Sequence, residues 1–209
     1  MLFGSDQKIV FIGDSITDCG RRDVFAPYGN GYVSLVRALL LARYPDLGLS
    51  FVNRGIGGDT VRNLAERWEE DVIAEQPDWL SVKIGINDVW RAFGDSASEA
   101  VPLPEYEATL RALLDDARER TGARLILVTP YVIELDRTEP MRAAMDEFGA
   151  VVDRIAGEYR AVLVRTQAAF DAALEHTPAT DWAEDRVHPA LPGHAVIALA
   201  FLRAVGFAL

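Results

Sequence analysis

Residues 8–17, KIVFIGDSIT, decide the fold of this chain. A short, mostly apolar run at 8–12 ends at Gly13, and polar residues that include Ser15 follow directly. An apolar run of this length bounded by a turn signal is typical of a strand buried on both faces, as in parallel sheets. Ligands bind at the carboxyl ends of the strands in open α/β sheets, so Ser15 stands where a site is expected.

Outward from this stretch, short strand patterns alternate with longer helical ones. The predicted strands are 8–12, 49–52, 79–84, 124–129 and 161–164. The predicted helices are 30–43, 60–74, 104–120, 140–157, 168–174 and 193–205. This βα alternation predicts a parallel sheet of about five strands with helices on both faces and right-handed crossovers. With no repeat, low-complexity tract or linker, residues 1–209 are expected to form a single domain.

Charge and composition narrow the class of protein. The chain has 21 Lys and Arg against 32 Asp and Glu, a net charge of −11, and half of its residues are hydrophobic. An acidic surface repels phosphate backbones and anionic lipids, so neither nucleic acid nor a membrane is an expected partner. The N-terminus is too short and too polar for a signal peptide, and the apolar run 195–202 is too short to span a bilayer. We therefore expect a cytoplasmic protein.

Four segments carry residue types that can do chemistry, and each follows a strand or precedes the last helix. They are GDSIT at 13–17, NRGIGGDT at 53–60, GIND at 85–88 and DRVHP at 185–189. Ser15 offers a nucleophilic hydroxyl, while glycine N–H groups and the Asn87 amide can donate to an oxyanion. Asp185 lies three residues before His188 and can hold one ring nitrogen while the other acts as a base. Each segment alone is an ordinary turn, but together they predict a hydrolytic site.

Neither a cofactor nor a metal is expected. No phosphate loop or dinucleotide fingerprint follows the first strand. His188 and His194 are six residues apart, no H-x-x-x-H pair exists, and Cys19 is distant in sequence. We interpret His194 as a cap or packing residue and Cys19 as a small buried hydrophobe.

Taken together, the four segments resemble the SGNH hydrolases, also called the GDSL family. Further stretches are similar to bacterial acetylxylan esterases of this family: FIGDSITDCGR, GNGYV, RWEEDVIAEQPDW, GINDVWR, EYEATLR, DEFGAVVDRIA, TQAAF and HPALPGH. The resemblance covers most of the chain. It implies a flavodoxin-like three-layer sandwich that forms one SGNH hydrolase domain over residues 1–209.

The resemblance also implies roles for individual residues. Ser15 would be the nucleophile, His188 the base and Asp185 the residue that orients it. The oxyanion donors would be the Ser15 N–H, the Gly58 N–H and the Asn87 side chain.

Two positions depart from the family pattern. Gly57 stands where relatives often have serine, so Gly57 and Gly58 are both open as the source of the oxyanion N–H. Glu184 precedes Asp185 where similar esterases often carry an aromatic residue.

The resemblance further implies that the substrate is an acetylated xylo-oligosaccharide or a related sugar, which is deacetylated through an acyl-enzyme. Tyr28, Trp90 and Trp182 lie beside the segments and either stack on sugar rings or pack within loops. The alternatives are a general short-chain esterase, a lysophospholipase, a thioesterase, or a non-enzymatic ligand-binding module. A metal-dependent phosphatase is a weaker alternative, and it would use Asp14, Asn87, Asp185 and His188. Homo-oligomerisation is also open, because the apolar last helix and residues 206–209 could bury against another chain or on their own sheet.

Overall fold

Five parallel strands form the centre of the computed structural model, which describes residues 1–94 and 96–208. The strands are β1 (Lys8–Gly13), β2 (Ser50–Gly55), β3 (Trp79–Lys83), β4 (Arg124–Val128) and β5 (Val162–Val164). They are ordered β2-β1-β3-β4-β5, and all pairs are parallel. Every residue of β3 is buried although successive side chains point to opposite faces, so both faces of the sheet are covered. The predicted α/β sandwich is confirmed.

Eight α-helices surround this sheet in the part of the chain that is described. They are α1 (Ser15–Asp18), α2 (Tyr32–Arg43), α3 (Val61–Trp68), α4 (Ile86–Trp90), α5 (Leu103–Thr121), α6 (Pro140–Tyr159), α7 (Thr166–Leu174) and α8 (Leu191–Ala204). Helix α8 packs against α2 and α7, and α5 packs against α3 and α6. Both groups join one continuous hydrophobic core with the strands.

The structure differs from the sequence prediction in short elements and at boundaries. Helices α1 and α4 are absent from the prediction, because four or five residues are too few to show helical periodicity. The predicted helix 60–74 is α3 followed by a π-helical turn, Glu69–Ile73. Strand β2 runs past Val52 to Gly55 because its polar end pairs with the end of β1, which hydropathy does not report.

The C-terminal segment packs on its own chain as far as the structure describes it. Phe207 stacks edge-on against Tyr44 with a ring separation of 5.8 Å, and the Ala208 carbonyl accepts a hydrogen bond of 3.1 Å from Arg43 Nε. Leu209, part of the segment that could bury against a second chain, lies outside the described residues. Among the helices described, none has the length and apolarity needed to cross a membrane.

Candidate active site

The proposed nucleophile, Ser15, is the first residue of α1, immediately beyond the end of β1. Gly13 permits this tight turn, since a β-carbon there would lie 2.2 Å from the Lys83 carbonyl oxygen. Asp14 is the N-cap, and its Oδ1 accepts a 2.9 Å hydrogen bond from the Ile16 N–H. The first N–H groups of a helix have no acceptor within it, so the Ser15 N–H is available to a ligand.

Ser15, His188 and Asp185 form a continuous hydrogen-bonded chain. Ser15 Oγ lies 3.0 Å from His188 Nε2, and His188 Nδ1 lies 2.7 Å from Asp185 Oδ2. Asp185 Oδ1 also accepts from the His188 N–H at 2.7 Å and the Val187 N–H at 2.9 Å. Partial burial raises the pKa of Asp185, but the hydrogen bonds from His188 and Val187 outweigh it and hold the pKa below its ordinary value. A charged Asp185 favours the proton on Nδ1, which leaves Nε2 free to accept the serine proton.

A second loop, 131–134, supports the Asp185–His188 turn, and sequence reasoning did not identify it. Arg186 has a left-handed backbone with φ of 65°, and its carbonyl accepts a 2.9 Å hydrogen bond from the Ile133 N–H. The Arg186 guanidinium pairs with Glu134 at 3.1 Å, and Tyr131 Oη donates to the Val187 carbonyl at 3.3 Å. These contacts fix the loop that carries the base. They join residues about fifty positions apart, so no local sequence pattern predicts these contacts.

The expected oxyanion donors lie at the ends of neighbouring strands. Gly13, at the end of β1, is opposite Gly55 of β2 and Lys83 of β3, so the three segments start side by side. A β-carbon at Gly57 would lie 3.8 Å from Ser15 Cβ, which places the glycine turn against the nucleophile. The fold therefore brings the first three sequence segments to one edge of the sheet.

The two glycines of the turn have different hydrogen-bonding states. The Gly57 N–H donates to Asp18 Oδ2 at 3.1 Å, whereas the Gly58 N–H has no acceptor among the described residues. Gly58 also adopts a φ of 86°, a conformation that glycine reaches without strain. The geometry thus favours Gly58 as the donor.

Asn87, in the first turn of α4, is buried and donates one amide hydrogen to the Asp59 carbonyl at 2.9 Å. An amide has two hydrogens, so one remains for an oxyanion.

Of the three aromatic residues predicted to bind substrate, Trp90 lies against the triad. Its ring is 5.7 Å from the His188 ring at 69° and is 36% exposed. Tyr28 is covered by the Arg37 guanidinium, 4.2 Å from its ring centre. Trp182 donates its indole N–H to a threonine hydroxyl at 2.7 Å. The structure therefore places Trp90 alone of the three beside His188, whereas the ring of Tyr28 contacts α2 and the indole of Trp182 contacts the loop that precedes it.

A cavity of about 320 Å³ opens beside the triad. Its walls are Glu184, Asp185, His188, Pro189 and Ala190. Glu184, the residue that departs from the family pattern, therefore borders this cavity next to the base.

A buried ion pair lies directly beneath the nucleophile. Lys83 Nζ is 3.8 Å from Asp14 Oδ2, and both side chains are at most 1% exposed. Neither of these two atoms has a hydrogen-bond partner among the described residues, although Nζ lies 4.9 Å from the centre of the Tyr131 ring. Burial raises the pKa of Asp14, an effect that the Lys83 charge opposes, and burial lowers the pKa of Lys83. The sequence pattern places Lys83 in a strand and does not reveal this pairing.

Two further buried groups border the site. Burial raises the pKa of Asp88, the neighbour of Asn87, to about 7, although its Oδ1 accepts from the Val61 N–H at 2.9 Å. Burial also lowers the pKa of His194 to about 4. His194 is buried, and its Nδ1 accepts from the N–H of Tyr32, the first residue of α2, at 3.2 Å, as expected of a capping or packing residue.

Cys19 is half-buried rather than fully buried as expected. Its thiol donates to Asn30 Oδ1 at 2.9 Å, and Sγ lies 3.3 Å from His194 Nε2.

No group of three or more metal-ligating side chains is found in residues 1–94 and 96–208. The burial of Asp14 against Lys83 keeps that carboxylate from the role that a phosphatase would need.

The chain is similar to known hydrolases over almost its whole length. Residues 11–196 match the GDSL-like Lipase/Acylhydrolase family. An acetylxylan esterase of Geobacillus stearothermophilus is 50% identical, with 99% of this chain and 97% of the relative covered.

Solved structures agree with this match. The crystal structure of Axe2, an acetylxylan esterase from Geobacillus stearothermophilus, has a TM-score of 0.96 and 49% identity, covering 100% of this chain and 98% of that one. Three related structures are catalytic mutants of Axe2 in which a serine, an aspartate and a histidine are each replaced by alanine. LAE5, an α/β hydrolase from the metagenome of Lake Arreo, Spain, has a TM-score of 0.94 and 44% identity, with coverages of 99% and 98%.

Proposed function

This chain belongs to the GDSL-like lipase/acylhydrolase family, and on that premise we propose that it is a serine esterase that removes acetyl groups from acetylated xylo-oligosaccharides or related sugars. The observation that carries the proposal is the hydrogen-bonded chain from Ser15 through His188 to Asp185. The family match over residues 11–196 and the single hydrophobic core support one hydrolase domain over residues 1–209.

Acylation begins when Ser15 Oγ attacks the carbonyl carbon of the acetyl ester. His188 Nε2, 3.0 Å away, takes the hydroxyl proton, and Asp185 stabilises the resulting imidazolium. The negative oxygen of the tetrahedral intermediate receives hydrogen bonds from the Ser15 N–H, the Gly58 N–H and the Asn87 amide. When the intermediate collapses, His188 gives its proton to the departing sugar oxygen, and the acetyl group stays on Ser15.

Deacylation repeats these steps with water as the nucleophile. His188 takes a proton from the water as the water oxygen attacks the acetyl carbon, and the same donors hold the second oxyanion. Collapse returns the proton to Ser15 Oγ and releases acetic acid. The residues of the site supply every proton transfer, so the cycle needs no cofactor.

The proposed substrate class rests on the relatives and on Trp90. The relatives that match over the full chain are described as acetylxylan esterases. The half-exposed Trp90 ring beside His188 offers an apolar face on which a sugar ring can stack. Roles for Tyr28 and Trp182 in substrate binding stay predictions, as do a cytoplasmic location and homo-oligomerisation.

Ester hydrolysis by wild type and Ser15→Ala tests the proposal. We expect wild type to hydrolyse p-nitrophenyl acetate faster than the decanoate and to release acetate from acetylated xylo-oligosaccharides, with turnover lost in Ser15→Ala. Ser50→Ala, at the opposite end of β2 from the site, is the matched control and should keep full activity. Turnover that survives Ser15→Ala would end the serine mechanism, and a preference for the decanoate would favour a lipid substrate.

A further inference from the structure

The turn that carries the Gly58 N–H is closed within itself only by a long hydrogen bond, 3.4 Å from the Asp59 N–H to the Ile56 carbonyl, among the described residues. Gly57 and Gly58 are adjacent, and glycine has the largest backbone freedom of any residue. An oxyanion hole accelerates a reaction because its donors are fixed before charge develops. Contacts from outside the turn therefore add to the rigidity of the Gly58 peptide.

Arg91 supplies such a contact. Its Nη2 donates a 2.5 Å hydrogen bond to the Gly58 carbonyl, and its Nη1 pairs with Glu99 Oε2 at 3.1 Å. A hydrogen bond from a charged guanidinium is roughly twice as strong as a neutral one. The side chain is 25% exposed, so water screens this contact only partly.

Arg91 and Asn87 hold consecutive carbonyls of the same turn. Asn87 donates to the Asp59 carbonyl at 2.9 Å, next along the chain from the carbonyl that Arg91 holds. The two residues are four positions apart, which places them on the same side of a helix. One helical turn thus carries both Asn87, the proposed amide donor, and Arg91, which holds the carbonyl of Gly58, the proposed N–H donor.

We propose that Arg91 is a positioning residue for ester hydrolysis, which holds the Gly58 turn so that its N–H points at the developing oxyanion. This inference rests on the proposed serine-esterase function. Arg91 acts through Gly58, because its two terminal nitrogens are engaged by the Gly58 carbonyl and by Glu99. Since the Gly58 N–H bonds strongly only to the charged oxygen, loss of Arg91 lowers kcat and leaves KM nearly unchanged.

The test measures kcat, KM and Tm on p-nitrophenyl acetate for wild type, Arg91→Met, Arg91→Lys and Arg120→Met. Arg120→Met is the matched control, because it removes an arginine whose ion pair with Glu69 lies on the exposed surface of α5. We expect Arg91→Met to lose roughly 10- to 100-fold in kcat, with less than about threefold change in KM, since a small misplacement in an active site costs on the order of 100-fold. Arg91→Lys keeps one charged donor and should fall between Arg91→Met and wild type, while Arg120→Met should stay within about twofold of wild type.

Other outcomes of these measurements would overturn the proposal or the function on which it rests. A folded Arg91→Met with wild-type kcat overturns the proposal, and so does a raised KM at unchanged kcat, which would make Arg91 a substrate-binding residue. If Arg91→Met does not fold, Arg91→Lys decides, and wild-type kcat in that variant overturns the proposal. Wild-type protein without esterase activity would refute the proposed function itself, whereas an active wild type, an inactive Ser15→Ala and an unimpaired Arg91→Met would refute the positioning role alone.

Discussion

Replacing Lys83 by methionine removes one partner of the ion pair beneath the nucleophile. At 3.8 Å and an effective dielectric constant of about 20, the attraction between Lys83 Nζ and Asp14 Oδ2 amounts to about 4 kcal/mol. Methionine fills much the same volume but leaves the Asp14 carboxylate buried without its partner. Breaking a buried pair on one side generally costs about 3–5 kcal/mol, so we expect Lys83→Met to lose about 3–4 kcal/mol of unfolding free energy at pH 8.

The unfolding free energy that Lys83→Met loses should depend on pH. Burial already raises the pKa of Asp14, and removing the Lys83 charge raises that pKa further. When the pKa of an acid is higher in the folded protein than in the unfolded chain, its contribution to the unfolding free energy is fully present below the unfolded pKa. That contribution is lost as the pH rises through the folded pKa. The destabilisation by Lys83→Met should therefore shrink as the pH is lowered from 8 toward 4.

Urea unfolding of wild type, Lys83→Met, Asp14→Asn and the double variant measures the coupling. Asparagine caps helices as well as aspartate does, so Asp14→Asn keeps an acceptor for the Ile16 N–H. The double variant carries no buried charge at these two positions, so it should recover most of the unfolding free energy that Lys83→Met loses. Additive losses in the double variant, or a loss below about 1 kcal/mol in Lys83→Met, would refute the reasoning.

Three other groups around the site lead to predictions of their own. Asn87→Ala should lower kcat by about 100- to 1,000-fold with little change in KM, and steady-state kinetics showing less than about a threefold loss would remove Asn87 from the oxyanion hole. Since burial raises the pKa of Asp88 to about 7, this group alone should subtract on the order of 4 kcal/mol from the unfolding free energy as the pH rises from 4 through 7, and the titration of His194 acts in the opposite sense. Asp88→Asn should lack that loss in denaturant titrations at pH 5 and 8, and equal pH slopes in both proteins would contradict this. Because the pKa of His194 is lowered to about 4, its contribution to stability is present above about pH 6.5 and is lost toward pH 4. The Tm at pH 5 relative to that at pH 7 should therefore be higher in His194→Gln than in wild type, and an equal difference in both proteins would argue against this role.

The sequence alone determined the architecture and the residues with reactive groups. A buried strand needs only a short apolar run, so 8–12 and its four counterparts could be located from local composition. Parallel strands end at one edge of a sheet, so the order of strands and helices along the chain already made the segments around Ser15, Gly58 and Asn87 neighbours. The pairing of Asp185 with His188 is local, across three residues, and the same loop could be recognised from its residue types.

Only the tertiary structure decided which contacts hold these groups in place. Gly57 and Gly58 are adjacent glycines, so residue type does not distinguish them as donors. The Asp18 carboxylate, 39 residues from Gly57, distinguishes them because it accepts the Gly57 N–H. Arg91 meets Gly58 across 33 residues, and Lys83 meets Asp14 beneath the sheet edge. Local patterns report the backbone and burial preferences of neighbours in sequence, whereas these hydrogen bonds and ion pairs depend on distances that exist only after the strands have been arranged.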